Sequence, residues 1–166
     1  MTRDRRRRKA ADAGARKAVN KLAVPPEVLL GYRLWEVHHR WQRYIEKSLK
    51  AVNLTHLQYV LLAATCHLIS VGESPSQIRL SNFTNVEKMM VSKNLRLLEK
   101  RGYMAREPHP DDRRANQIRL TVAGQRVLRR AFAISAKAQA TFFYVAGNDW
   151  ARVNEQLRHL IHSRRR

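Results

Sequence analysis

The chain has 166 residues, 44% of them hydrophobic, and 33 Lys and Arg stand against 13 Asp and Glu for a formal net charge of +20. That length fits one domain, or one domain with an arm, and no apolar run approaches the roughly 20 residues that a bilayer crossing needs. Cys66 is the only cysteine, so no intrachain disulfide can form, and a reducing cytoplasm is the simplest setting.

The charge is not confined to the ends. Removing residues 1–22 takes away nine basic and two acidic residues, and the closing three arginines remove three more, leaving 21 basic against 11 acidic. A basic body with basic tails points to a polyanionic partner, and double-stranded DNA is the usual one. An anionic membrane is the lesser alternative, because amphipathic membrane signatures are few; no membrane partner is expected.

In chain order, residues 1–24 read as a basic flexible arm, nearly free of large apolar groups. Residues 25–53 follow as one helix: Leu30, Leu34, Val37, Trp41, Ile45, Leu49 and Val52 recur at steps of four and three. A second helix begins near Thr55, with Leu57, Val60, Leu61, Ala64 and Leu68 on one side. Cys66 is centred in this apolar helix, where a buried and therefore inert thiol is expected.

Ser74, Pro75 and Gln77 then match a capped helix start, and Thr84 with Glu87 matches a second. Two short capped helices with a tight turn between them spell helix-turn-helix. Gly102 is placed to end the second. After it the apolar period becomes two, in "YMARE" and again in "QIRLT", which gives a hairpin. Pro108 and Pro110 are expected to keep the stretch between them out of regular pairing. A long helix starts after Thr121, and a last one, capped at Asn148-Asp149, carries Val153, Leu157, Leu160 and Ile161. The fold class is mainly α with a small β-wing: a winged helix-turn-helix of six helices and one hairpin.

Two segments carry the chemistry. On the second helix of the motif, Val91, Leu95 and Leu98 are assigned to the core. The opposite stripe is Lys88, Met89, Ser92, Lys93 and Arg96, with the acid Glu99 at its far end. A helix fits the major groove, where Lys and Arg reach guanine O6/N7 or phosphate and an apolar tip meets a thymine methyl. The second segment is the hairpin tip. Arg113 and Arg114 suit a narrow minor groove, which concentrates negative potential. Asp112 would orient an arginine through a charge-assisted fork before DNA arrives.

At these residues the chain resembles the MarR family of winged helix-turn-helix regulators. The stretch "DRRANQIRLTVAG" fits its wing signature through Asp112, Arg114, Leu120, Thr121 and Gly124, and "VEKMMVSKNLRLLEKRGYMARE" resembles its recognition helix leading into the wing. The likeness covers roughly residues 28–162. It implies an intertwined homodimer: the helix of 25–53 and the helices of 122–163 serve dimerisation, and 54–121 forms the DNA-binding lobe. It also implies a pseudo-palindromic operator, usually repression, and release by a small aromatic or phenolic effector. Trp35, His38, His39, His56 and Tyr59 lie where that family's ligand cleft would be, and aromatic walls with a few polar groups suit such a ligand. A non-specific basic nucleic-acid binder is the competing reading, and a scaffold that has lost DNA binding a third.

Other chemistries find little purchase. His38 and His39 diverge on a helix; His159 and His162 are three apart but lack a partner at ligand spacing. No metal or other cofactor is called for. No paired carboxylates or nucleophile-base arrangement marks an enzyme, and Asp111-Asp112 beside arginines are poorly placed to hold a raised pKa.

Overall fold

The helical period and capping residues of the sequence become six helices and a two-stranded hairpin in the computed structural model, which describes residues 29–108, 116–144 and 149–162. Helix α1 spans Leu30–Leu49 and closes in a 3₁₀ turn, Lys50–Val52, within the expected stretch of 25–53. Helices α2 (His56–Ser70), α3 (Gln77–Thr84) and α4 (Lys88–Lys100) follow, then strands β1 (Met104–Pro108) and β2 (Asn116–Leu120), then α5 (Val122–Phe143) and α6 (Trp150–His162).

The chain divides into two units at Arg40 and Trp41. In the first, the described residues are the opening turns of α1. Glu36 accepts from Arg33 at 3.1 Å and from Arg40 at 2.7 Å. Trp35 stacks on Tyr32 and lies 4.3 Å from His39, whose ring is 5.6 Å from His38. Leu30, Leu34 and Val37 are exposed there.

The second unit holds the core. Ile45 and Leu49 of α1, Leu61, Leu62 and Leu68 of α2, Leu80 of α3, Val91, Leu95 and Leu98 of α4 and Ile118 of β2 are all sealed from solvent. Leu62, which the sequence stripe of α2 omits, belongs to this set. The core-facing positions of α4 are therefore the ones its spacing picks out. Buried polar groups are satisfied locally: Thr65 Oγ1 donates to the Leu61 carbonyl at 2.8 Å and Asn94 Nδ2 to that of Met90 at 2.9 Å. Trp41, which packs against this core, also joins an aromatic group with Phe142, Phe143 and Trp150. Helix α6 itself buries no residue, and Leu157, Leu160 and Ile161 stay exposed.

Caps explain where the helices start, and two of them differ from the sequence expectation. Thr55 and Gln58 form a reciprocal capping box for α2. Helix α3 is capped by Ser76, which accepts from the Arg79 amide at 3.1 Å, and not by Ser74. Pro75 cannot take the first helical position, because it is buried and its carbonyl accepts from the Ile118 amide at 2.7 Å. Thr84 starts no helix either. It is the last residue of α3, its hydroxyl donating to the Leu80 carbonyl at 2.7 Å, and Glu87 precedes α4 without a side-chain cap. Asn85, at φ 53°, makes the turn between them, a left-handed conformation that Asn tolerates better than most residues.

Gly102 ends α4 at φ 68°, its amide donating to the Glu99 carbonyl at 2.8 Å and the Tyr103 amide to that of Leu98 at 2.9 Å. The strands pair antiparallel from Met104 with Leu120 to Pro108 with Asn116. Pro108 thus closes the ladder, contrary to the expectation that it stays unpaired. A terminal proline is tolerated there because its missing N–H is not needed by the last pair.

Candidate nucleic-acid interface

Helix α4 presents two faces of opposite character. Val91, Asn94, Leu95 and Leu98 are buried. Lys88, Met89, Lys93 and Arg96 are exposed, Ser92 half-buried, and Met89 leaves 83% of its surface open. Among the described residues none of the three cations on this face has an ion-pair partner, whereas Glu99 at its far end is held by Arg106 of β1 at 2.6 Å. The acid at the far end of the stripe is therefore neutralised from the hairpin, while Glu87 stands exposed just before Lys88 at its near end. Between the two, what remains open is cationic, with a hydroxyl and a thioether.

The hairpin's root is fixed at both ends. Thr121 caps α5: its hydroxyl donates to the Gly102 carbonyl at 2.6 Å and accepts from the Gly124 amide at 3.0 Å. Its own amide donates to the Tyr103 carbonyl at 3.2 Å. Gly124 sits against that same carbonyl so closely that an added Cβ would overlap it. Thr121 and Gly124 of the signature thus bring the end of α4, the hairpin and the start of α5 to one point. Asp112, Arg113 and Arg114 lie outside the described residues. The hairpin also carries the pair Arg119–Glu107 at 3.0 Å.

The loop before α3 is braced by a two-point contact. Arg79 donates to both oxygens of Glu73, the second bond at 2.8 Å, and its guanidinium lies 5.5 Å from the Phe83 ring. The hydrogen bond from Arg79 holds the Glu73 carboxyl below its usual pKa and the guanidinium above its own.

Known proteins resemble this chain in sequence and in shape. The MarR family profile matches residues 54–115, which include α2 to β1. The HTH-type transcriptional regulator YdcH of Bacillus subtilis, itself uncharacterized, is 36% identical over 121 residues, 73% of this chain and 82% of its own. The chain belongs to the MarR family. Its described fold agrees with solved members and neighbours. CouR of Rhodococcus jostii, bound to p-coumaroyl-CoA, superposes with a TM-score of 0.73 at 24% identity, covering 85% of this chain and 94% of its own. MepR of S. aureus, solved as a DNA complex, superposes with a TM-score of 0.70 at 18% identity, covering 84% and 99%. As a MarR-family protein this chain is a DNA-binding transcriptional regulator with a winged helix. Among the described residues no single helix is long and apolar enough to cross a membrane.

The five candidate effector contacts of this MarR-family chain fall in different surroundings. Trp35, His38 and His39 touch one another in the first unit. His56 meets Trp41 edge-on at 6.3 Å. Tyr59 lines a cavity of about 1540 Å³ together with Trp41, Ser135, Phe143 and Trp150. His159 pairs with Glu155 at 3.1 Å, and among the described residues no three His, Cys, Asp or Glu side chains gather into a metal-holding group.

Cys66 departs from expectation. It is exposed, because α2 turns Cys66 and Ser70 away from the core that Leu61, Leu62 and Leu68 fill. That side lines a second cavity, of about 790 Å³, closed by the hairpin and α5. Arg119 and Arg129 on its wall were not singled out by the sequence. Alternation in "QIRLT" does put Arg119 opposite the buried Ile118, a signal that separates its face but not its neighbours.

Proposed function

We propose that this regulator binds a pseudo-palindromic operator as a homodimer, acts as a repressor in the cytoplasm, and releases DNA when a small aromatic or phenolic ligand binds. One observation carries the reading: the cationic and thioether face of α4, unpaired among the described residues, opposite a face buried in the core. Lys88, Ser92, Lys93 and Arg96 are the groove and phosphate contacts and Met89 the thymine-methyl contact. Arg113 and Arg114 enter the minor groove, and Asp112 orients them.

Dimerisation is supported by exposed apolar surface. Helix α6 buries nothing, and Leu157, Leu160 and Ile161 offer a helical stripe to a second copy. Leu30, Leu34 and Val37 do the same on α1. A twofold pair sets two recognition helices about 34 Å apart, the spacing of successive major grooves on one face of DNA. Residues 1–24 add a sequence-independent electrostatic contribution. Trp35, His38, His39, His56 and Tyr59 are the effector contacts; aromatic acids are the first compounds to test, since CouR was solved with an aromatic acyl thioester.

The deciding experiment is selection of bound fragments from the source genome, repeated with candidate aromatic ligands. An enriched inverted repeat, preferred over random duplex by roughly 10³-fold or more, is the expected result. Uniform, salt-sensitive retention of all fragments would instead establish the non-specific basic binder.

A further inference from the structure

The described part of 54–121 holds four acidic residues, Glu73, Glu87, Glu99 and Glu107. An arginine holds three of them. Glu73 accepts from Arg79 at 2.8 Å, Glu99 from Arg106 at 2.6 Å and Glu107 from Arg119 at 3.0 Å. Glu87 is the exception. It is exposed, and among the described residues its carboxylate has no hydrogen-bond or ionic partner. It stands at the N-terminus of α4 with an extended backbone, φ −55° and ψ 139°, yet its side chain caps none of the helix amides. Lys88 and Met89, which follow it, are exposed as well.

A free carboxylate is repelled by phosphates, but the floor of the major groove can offer it a partner. Recognition helices bring their N-terminal residues against base edges. An ionised carboxylate only accepts hydrogen bonds, and the donors in that groove are the amino groups of cytosine and adenine. Adenine sets its amino group beside N7, an acceptor that repels the acid, so cytosine N4 is the better match.

We propose that Glu87 is a specificity-determining residue, reading one cytosine in each half-site by accepting from its N4 amino group. Lys88 beside it can donate to the guanine O6 of the same base pair. The cations of α4 attract any duplex, whereas Glu87 rejects a wrong one: guanine and thymine turn acceptors toward it. This inference rests on the operator reading proposed above.

The test is selection of bound duplexes from a random-sequence DNA library by the full chain as wild type, Glu87→Gln and Glu87→Ala. Affinities are then measured for the selected site and for the same site with one C·G pair replaced by T·A. The wild type should enrich C·G at one position per half-site, and the replacement should weaken its binding about tenfold. Glu87→Gln should select adenine there, because a carboxamide both donates to N7 and accepts from N6. Glu87→Ala should lose the preference, the difference shrinking below about twofold. The rest of the motif and Tm should stay unchanged in both variants.

One motif shared by all three proteins overturns the proposal and leaves the regulator reading standing. So does a wild-type motif in which the position altered by Glu87→Gln is not cytosine. A lowered Tm with affinity reduced for all duplexes alike also overturns it, by making Glu87 a partner of the helix dipole only. Equal retention of every sequence by the wild type overturns both readings, since a protein that reads no base leaves Glu87 none to read.

Discussion

Gly124→Ala is the most direct test of how the hairpin is joined to the body. In most exposed helical positions this exchange stabilises, by about 1 kcal/mol of helix propensity. Here Gly124 is buried in the first turn of α5, and an added Cβ would overlap the Tyr103 carbonyl oxygen and crowd its carbon. The obstacle is backbone, so no flexible side chain can swing aside. That backbone is held by the Thr121 amide at 3.2 Å and by the turn that follows Gly102. Overpacking of this kind costs about 1–3 kcal/mol, and a fixed obstacle puts the cost in the upper half of that range. Set against the propensity gain, the net loss is about 1–2 kcal/mol. At roughly 2–4 °C per kcal/mol for a chain of this size, Tm should fall by roughly 2–8 °C. The assay is thermal unfolding by far-UV circular dichroism at one fixed protein concentration, since any oligomer makes Tm concentration-dependent. Ala123→Gly, at the exposed neighbour, reports the propensity contribution alone. An unchanged or higher Tm for Gly124→Ala would refute the claim that the glycine is required by close packing against Tyr103.

Four further outcomes can be checked. Arg114→Ala should weaken operator binding strongly with Tm almost unchanged, read by gel shift and melting together; unaltered binding removes the wing arginine from the interface. Met89→Ala should change preference at one base position in a repeated fragment selection, since its side chain is 83% exposed and unneeded by the core; an identical motif counts against the contact. Deleting residues 1–22 removes nine basic residues and should lower affinity for all duplexes alike, while the salt slope shrinks by about 0.9 for each phosphate the arm had neutralised. A weakening confined to the operator would show instead that the arm reads sequence. Glu73 has a folded pKa lowered from 4.5 by its bond from Arg79, so its contribution is full above that value and disappears as pH falls through the lowered one. Urea titrations of the wild type and Glu73→Gln should therefore converge as the pH drops below about 4.5; a gap that persists or widens in acid would contradict the pairing.

Much of this fold was legible because helices announce themselves through spacing. Val91, Leu95 and Leu98 recur at four and three, and all three are buried. Thr121 and Gly102 were legible as a cap and a stop because their roles are local. The failures have particular causes. Ser74 fits the capping pattern as well as Ser76 does, but a distant contact decides between them: Pro75 is claimed by Ile118, more than forty residues on, whereas Thr84 is held back by its own helix through the Leu80 carbonyl. Thr55 and Gln58 form the capping box that the same rule describes, at the start expected for α2. Cys66 was misplaced because an apolar neighbourhood in sequence does not say which side of a helix faces inward. At the interface, the stripe on α4 could be read from the sequence as an exposed face. The pairing of Glu99 with Arg106 could not, because it joins a helix to a strand.

The bond from Ile118 to the Pro75 carbonyl has a consequence for how such a protein can change. Its acceptor is main chain, so no exchange at position 75 abolishes it while the loop keeps its course. The donor is main chain as well. At this point the hairpin is moored by the path of the polypeptide, and residues farther out along it can drift in identity, generation after generation, while that point of attachment stays where it is.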